Sequence, residues 1–247
     1  MKNLLAVLSL AAVLGVPAAF AQTDSQLQAD VQKALSNAKF KDVQVTVQQK
    51  IATLSGTVNL YDVKHQAEQR AHRVKGVEAV RDGIEVAGAN VSDSQLQEKL
   101  VGAISYDRVG YGTTPFNSIS VEVQNGVVRL AGFAYGPVDA DSAAAVAANT
   151  AGVKDVVNDI EVNPVSAMDD GIRIRVFRAI YGYSSLNKYA IDPAKPIRIQ
   201  VQNGNVALYG VVDNQADRDV AGIRANGVAG VFSVTNHLQV ADAPSGL

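Results

Sequence analysis

Two histidines and a carboxylate lie close together between residues 62 and 75. His65 and His72 are seven positions apart, with Glu68 between them. Imidazole and carboxylate groups bind transition metals such as Zn²⁺. On a helix, however, this spacing distributes the three side chains over two turns, which is a poor ligand geometry. We therefore interpret the pair as solvent-exposed histidines and predict neither a metal site nor a cofactor.

The same segment is also basic. On a helical wheel, four cations flank an apolar stripe of valine and alanine: Lys64, Arg70, Arg73 and Lys75. This is the pattern of an amphipathic helix that lies on anionic lipid headgroups. A helix that covers a sheet needs the same stripe. We favour this second interpretation, in which the basic residues form a solvated face.

Five tyrosines lie in two segments that are rich in glycine and aromatic residues. They are Tyr106, Tyr111, Tyr181, Tyr183 and Tyr189. Exposed tyrosines on loops form an amphipathic contact surface. The alternative, which we favour, is that they cap the end of a sheet or pack between neighbouring parts of the chain.

No motif in the sequence predicts catalysis. The phosphate-binding G-x-x-x-x-G-K-[ST], the zinc-protease H-E-x-x-H and the hydrolase G-x-S-x-G are all missing, and the chain has no cysteine. Asp169 and Asp170 are consecutive at the start of a predicted helix, where carboxylates cap the helix and interact with its dipole. We predict that the protein is not an enzyme.

An internal repeat organises the chain. Three pairs of glycines share a spacing of twenty positions: Gly56 and Gly76, Gly132 and Gly152, Gly210 and Gly230. Val-x-x-Val follows the second glycine of each pair. The repeat indicates an array of one small module. We predict that the first glycine ends a hairpin and that the second ends a helix as a left-handed cap.

Each module begins with a predicted helix. Apolar residues recur there at every fourth position, on one helix face. They are Leu27, Val31 and Leu35, then Leu96, Leu100 and Ile104, then Ile172, Val176 and Ile180. Asp24 or Ser25 is expected to cap the first of these helices.

Two strands with alternating apolar residues follow each helix. Asn125-Gly126 and Asn203-Gly204 supply the positive φ angles of a two-residue hairpin turn in the second and third modules. Gln49-Lys50 takes this place in the first module, and we predict a looser or longer turn there.

A second helix and a last strand complete the module. Alanines four positions apart let this helix lie close to a sheet: Ala67 and Ala71, Ala143 and Ala147, Ala221 and Ala225. The predicted fold is α+β, with three tandem αββαβ modules, each a small three-stranded mixed sheet covered on one face by two helices. We place the modules at residues 22–88, 89–164 and 165–242, and a tail at residues 243–247. Neighbouring modules are expected to pack together, because each is small for independent stability.

Residues 1–21 have the pattern of a secretory signal peptide. Lys2 precedes an apolar stretch, and Ala19-Phe20-Ala21 forms a cleavage site. We predict no transmembrane span in the mature chain and a periplasmic location. Without Lys2 the chain has 21 basic and 24 acidic side chains, a net charge of −3. This balance argues against bulk attraction to nucleic acid or to an anionic membrane, so any such contact requires a local patch, and we predict no nucleic-acid partner.

The repeated motifs resemble those of the BON (bacterial OsmY and nodulation) domain family. The matching features are the αββαβ order, a Leu-x-Gly that closes strand two and a Gly-Val-x-x-Val that enters the last strand. Leu54-Ser55-Gly56 and Gly76-Val77 carry them in the first module, and both motifs recur in the others. The resemblance implies a non-catalytic envelope protein that binds phospholipid or membrane surfaces and acts in envelope integrity or the osmotic-stress response. It also implies an alternative, a periplasmic chaperone for unfolded exported or outer-membrane proteins.

Overall fold

The structure, a computed structural model, describes residues 22–87, 89, 91–164 and 166–241. The predicted signal peptide and the predicted tail lie outside the described residues. The first module consists of five elements: α1 (Asp24–Ala34), β1 (Val43–Gln48), β2 (Ile51–Val58), α2 (Tyr61–His72) and β3 (Ala79–Val86). β2 is the central strand, antiparallel to β1 and parallel to β3.

The second module repeats this topology. Its elements are α3 (Asp93–Asp107), β4 (Ser118–Gln124), β5 (Val127–Ala134), α4 (Pro137–Ala148) and β6 (Asp155–Val162). β5 pairs antiparallel with β4 and parallel with β6. The long connection between α3 and β4 carries the first of the two aromatic segments.

The third module has the same order with interrupted strands. Its elements are α5 (Ala167–Tyr181), β7 (Arg198–Gln202), β8 (Asn205–Tyr209), β9 (Val211–Val212), α6 (Gln215–Asn226), β10 (Ser233–Asn236) and β11 (Gln239–Val240). β8 pairs antiparallel with β7 and parallel with β10, and β9 pairs parallel with β11. The predicted α+β fold of three mixed sheets with helices is confirmed.

Each module has its own apolar core between its helices and one face of its sheet. The predicted stripe on the first helix of each module is buried, except that Ile104 is only partly buried. The paired alanines of the second helices are also buried, with Ala67 and Ala71 fully inaccessible. Small side chains at these positions let the helix approach the sheet closely, as the sequence predicts.

The hairpin turn of the first module is not looser than the others. Gln49 and Lys50 both adopt positive φ angles, of 50° and 60°, and the strands pair directly up to the turn. The carboxylate of Asp24 accepts hydrogen bonds from both turn amides, at 2.7 Å from Gln49 N and 2.9 Å from Lys50 N. This contact holds a turn that lacks the usual Asn-Gly pair.

The same carboxylate contact recurs in all three modules. Asp93 accepts from the amides of Asn125 and Gly126, and Asp169 from those of Asn203 and Gly204. The helices are instead capped by the side-chain oxygens of other residues: Thr23, Ser92 and Ser166. The predicted capping by Asp24 or Ser25 and the capping assigned to Asp169 are therefore wrong.

The first glycine of each pair lies within one residue of the end of the antiparallel hairpin ladder, as predicted, but the chain does not leave the sheet there. Gly56 and Gly132 lie inside β2 and β5, paired on both sides, and the chain continues in the sheet beyond Gly210. Their φ angles are between +100° and +130°, and a Cβ on Gly56 or Gly132 would overlap a carbonyl oxygen of the neighbouring strand. These glycines permit a local distortion in the strand that other residues rarely adopt.

The second glycine of each pair is not a helix cap. The helices end at earlier residues, with Arg73, Asn149 and Gly227 in the cap positions. Each glycine lies three residues later, in a four-residue turn closed by a backbone hydrogen bond such as Val77 N to Val74 O. Positive φ at the third position of such a turn is typical of a type II turn, and this requirement explains the glycine.

Neighbouring modules pack against one another. Tyr61, at the start of α2, lies against the second core, and burial and the nearby Asp155 raise the pKa of its hydroxyl to about 12. Between the second and third modules, the ring of Phe116 lies 5.8 Å from that of Tyr135 and 5.9 Å from that of Phe177. Phe116 of the first insert thus packs between the two modules.

Candidate functional surfaces

The basic side chains of α2 meet those of the segment after α1. The contact is formed around the buried side chain of Phe40. The cationic groups of Lys39 and Arg70 each lie 5.1 Å from the centroid of its ring. Arg70 also donates a hydrogen bond to the carbonyl oxygen of Ala34, at 3.1 Å. The cation–π contact of Arg70 with Phe40 and its hydrogen bond to Ala34 therefore join the end of α2 to the segment after α1.

Six exposed cations of the first module lie on α1, on α2 and on the segments that directly follow these helices, and we call this set the basic cluster. Its members are Lys33, Lys39, Lys41, Arg70, Arg73 and Lys75. In the described part of the chain, none of these six forms a salt bridge within 4.0 Å. The sequence singled out only the last three, because the other three lie on α1 and on the short turn after it.

Lys64 does not belong to the basic cluster. Its Nζ lies 3.6 Å from Oδ2 of Asp82 on β3, and its side chain is only 24% exposed. The apolar stripe of α2 is buried against the sheet, through Ala67 and Ala71. α2 therefore presents charge to the outside, but its apolar face is not available to enter a bilayer.

Charge is distributed unevenly among the modules. Residues 22–88 carry nine basic and eight acidic side chains, a net charge of +1. Residues 89–164 carry four basic and nine acidic side chains, a net charge of −5, and residues 165–242 have a net charge of +1. An anionic surface is therefore repelled by the second module and attracted locally by the basic cluster.

The two histidines of α2 are separated in the structure. The ring of His65 stacks on Tyr61, with centroids 5.7 Å apart, and one of its nitrogens lies 2.7 Å from Nε2 of Gln69. His72 is exposed at the last residue of the helix. Among the described residues, no three histidine or carboxylate side chains are grouped closely enough to hold a metal ion.

A second surface is formed by the two long inserts and the start of α4, and we call it the insert surface. It consists of five exposed side chains, between 47% and 79% accessible: Tyr106, Val109, Tyr111, Val138 and Ile191. Three contacts connect the segments that carry them. Tyr106 Oη donates to Asp192 at 3.3 Å, and Arg108 lies 3.9 Å from the ring of Tyr111 and bonds to Asp139 at 3.1 Å.

The remaining predicted tyrosines are placed differently. Tyr181 and Tyr189 are buried, and their hydroxyls donate to the carbonyl of Ile197 and the carboxylate of Asp217, each at 2.7 Å. Because they are buried, Tyr181 and Tyr189 are not part of the predicted contact surface. Both pack in the core of the third module. Tyr183 is 40% exposed, with the guanidinium of Arg224 5.3 Å from its ring.

No helix in the described ranges has the length and apolar character that crossing a bilayer requires.

Comparison with known proteins identifies the repeated module. The model of the BON domain matches residues 23–88, 92–164 and 183–242. Osmotically-inducible protein Y of Escherichia coli (strain K12) is 32% identical over 152 residues, which cover 56% of this chain and 72% of that protein. The third matched range begins after α5, although α5 contributes Ile172, Val176 and Ile180 to the third core.

Solved structures show only a distant likeness. Two structures of CdsD, described as a structural protein of the type III secretion system of Chlamydia trachomatis, are each 15% identical to this chain. They cover 86% and 87% of this chain and 90% and 96% of their own chains, with TM-scores of 0.23 and 0.24.

Proposed function

The chain belongs to the BON domain family, and we propose that it is a non-catalytic periplasmic protein of the osmotic-stress response that binds anionic phospholipid surfaces through the basic cluster. Membership of the family and the similarity to an osmotically inducible protein support the first part of this proposal. The single observation that supports lipid binding is the set of six exposed cations of the basic cluster, none of which forms a salt bridge among the described residues; two of them lie over the ring of Phe40. A role in envelope integrity follows if the protein is held at a membrane.

The burial of the α2 stripe determines how the protein meets the lipid. Because Ala67 and Ala71 are inaccessible, binding is superficial, without insertion of α2. Each lysine or arginine near an anionic membrane contributes about 1 kcal/mol, and this attraction falls off over a Debye length of about 8 Å at physiological salt. Binding therefore rises with the anionic lipid fraction and decreases with salt.

The charge of the second module orients the bound protein. A module with a net charge of −5 is repelled by anionic headgroups, whereas the basic cluster is attracted. The first module therefore faces the membrane and the second lies farther away. This orientation leaves the insert surface exposed to the periplasm.

Vesicle co-sedimentation with neutralised variants tests the proposal. We expect the triple variant Arg70→Gln, Arg73→Gln, Lys75→Gln to lose about 3 kcal/mol, or on the order of a hundredfold in partition coefficient on vesicles rich in phosphatidylglycerol. The matched control neutralises three exposed lysines elsewhere: Lys99→Gln, Lys154→Gln, Lys195→Gln. Both variants have the same net charge. Equal losses in the two would show bulk attraction and refute the basic cluster as the site.

A second function is favoured by the insert surface. Five exposed side chains on connected segments, three of them aliphatic and two tyrosines, are suited to transient contact with unfolded protein segments. We propose that the protein also acts as a chaperone for exported or outer-membrane proteins. The double variant Tyr111→Ser, Ile191→Ser is expected to suppress aggregation of an unfolded outer-membrane protein less well than the wild type.

A control separates this effect from a general loss of apolar surface. Ile174 on α5 and Ile223 on α6 are 47% and 69% exposed and do not belong to the insert surface. The variant Ile174→Ser, Ile223→Ser is expected to retain full suppression. The chaperone proposal fails if the two double variants suppress aggregation equally.

A further inference from the structure

A small cavity lies at the junction of the second and third modules. It has a volume of about 50 Å³ and is enclosed by α3, the first insert, β4, α4 and the side chain of Arg198 from β7. Its walls are partly apolar, with Ile104 and Ile119, and partly polar, with Thr114 and Asn117. Val101, which is 42% exposed, lies at its edge and indicates an opening to solvent.

One of the two cations of this cavity is already neutralised. Arg108 Nε lies 3.1 Å from Oδ1 of Asp139. The same carboxylate oxygen accepts hydrogen bonds from Oγ1 of Thr113 at 2.6 Å and from Nδ2 of Asn117 at 3.0 Å. Asp139 is 4% exposed, and this network accounts for its burial.

The second cation, Arg198, is not neutralised in this way. Its Nη1 donates a hydrogen bond of 2.7 Å to the carbonyl oxygen of Asn117. No salt bridge to a carboxylate of the described chain lies within 4.0 Å of its guanidinium, and burial lowers its pKa. A guanidinium has five N–H donors, so most of its donor capacity is not used by this contact.

A second polar group of the cavity is also unsatisfied. Oγ1 of Thr114 is buried and has no hydrogen-bond partner among the described residues. A buried hydroxyl without a partner is destabilising, and such groups are uncommon in folded proteins. Asp107, the other carboxylate of the lining, accepts a hydrogen bond from Oγ of Ser142 at 2.5 Å and forms no salt bridge with Arg198. The cavity thus combines a guanidinium without a carboxylate partner, a free hydroxyl and apolar walls.

We propose that this cavity binds a small monocarboxylate of about the size of acetate. The carboxylate accepts hydrogen bonds from the guanidinium of Arg198 and the hydroxyl of Thr114, and the methyl group contacts Ile104 and Ile119. A single water needs roughly 10–15 Å³ of such volume, so a cavity of about 50 Å³ holds about three or four non-hydrogen atoms. Planar carboxylates match the donor geometry of arginine.

Titration of the full-length mature protein with sodium acetate tests the site. Amide resonances around Thr114, Asn117 and Arg198 are expected to shift and saturate, with a dissociation constant on the order of 1 mM, since a ligand of four heavy atoms binds weakly. Sodium chloride at equal ionic strength is expected to leave them unchanged. Shifts that never saturate, or that chloride reproduces, would overturn the proposal.

Two variants distinguish binding from folding. Arg198→Gln is expected to weaken acetate binding by about tenfold or more, because a charged donor is lost. Thr114→Val is expected to weaken binding while leaving the thermal midpoint unchanged or higher, because the hydroxyl has no protein partner to lose. Arg129→Gln, an exposed position paired with Asp159, is the control and is expected to bind acetate normally. Normal acetate binding by a folded Thr114→Val variant would refute the assigned geometry.

Discussion

Asp24 stabilises the hairpin turn of the first module, and its removal is the most informative perturbation of the fold. Its carboxylate accepts two amide hydrogen bonds, of 2.7 Å and 2.9 Å, from a turn whose two central residues both have positive φ. Each of these left-handed residues, Gln49 and Lys50, costs about 1–2 kcal/mol relative to a turn built from glycine. The carboxylate contacts offset this strain.

The expected effect of Asp24→Ala follows from these two contacts. A hydrogen bond to a charged group contributes about 1.5–3 kcal/mol to stability. Because Asp24 is partly exposed to solvent, we assign each of its two bonds the lower value of this range. We expect the free energy of opening of the first module to decrease by about 3 kcal/mol, or on the order of a hundredfold in the exchange rate of the protected amides. Adding Lys50→Gly to the Asp24→Ala variant is expected to recover part of this loss, because glycine adopts the positive φ angle of this turn position without strain.

Native-state amide hydrogen exchange measures this change module by module. The amides that pair β1 with β2 report on the first module, and those that pair β4 with β5 serve as an internal reference. Asp30→Ala is the matched control, since Asp30 lies on the same helix, carries the same charge and accepts only from the side chain of Gln22. If Asp24→Ala changes exchange no more than Asp30→Ala does, the proposed role of the carboxylate is wrong.

Three further predictions concern packing. Gly132→Ala is expected to destabilise the second module by about 3 kcal/mol or more in urea unfolding followed by circular dichroism, because its Cβ would overlap the carbonyl of Ser118 at a φ of +100°. Tyr189→Phe is expected to lower the thermal midpoint of the third module, because the hydroxyl donates to Asp217 and accepts from a backbone amide, each at 2.7 Å. Tyr61 has a pKa raised from 10 to about 12, so its neutral form is favoured in the fold, and the contact between the first two modules is expected to weaken as the pH rises through this range. Chemical-shift changes confined to that interface would verify this pH dependence, whereas an unchanged interface at pH 12 would contradict it.

The parts of the fold that depend on periodic residues were predictable from the sequence. Apolar residues at every fourth position and alternating strands place the core directly, because burial and period are linked. The roles of the carboxylates were not predictable in the same way. Asp24 and Asp93 are the first residues of their helices, whereas Asp169 is the third, and only the folded geometry brings each to its turn.

The candidate surfaces were predictable only in part, for the same reason. Arg70 was singled out because it lies on one basic helix, but Lys39 reaches the same ring from 31 positions earlier in the sequence. Tyr181 and Tyr183 are two residues apart, yet one is buried and the other is 40% exposed. Composition identifies such a segment as aromatic, whereas the direction of each side chain depends on tertiary packing.

The orientation of the protein on a membrane is the most direct test of the proposed function. Because the chain has no cysteine, a fluorophore can be attached at one introduced position at a time, at the exposed Ala38, Ala145 or Ala216. These positions report on the basic cluster, the acidic second module and the third module. On vesicles that contain anionic lipid and a headgroup-linked quencher, the label at Ala38 is expected to be quenched most strongly and the label at Ala145 least. Stronger quenching at Ala145 than at Ala38 would contradict binding through the first module.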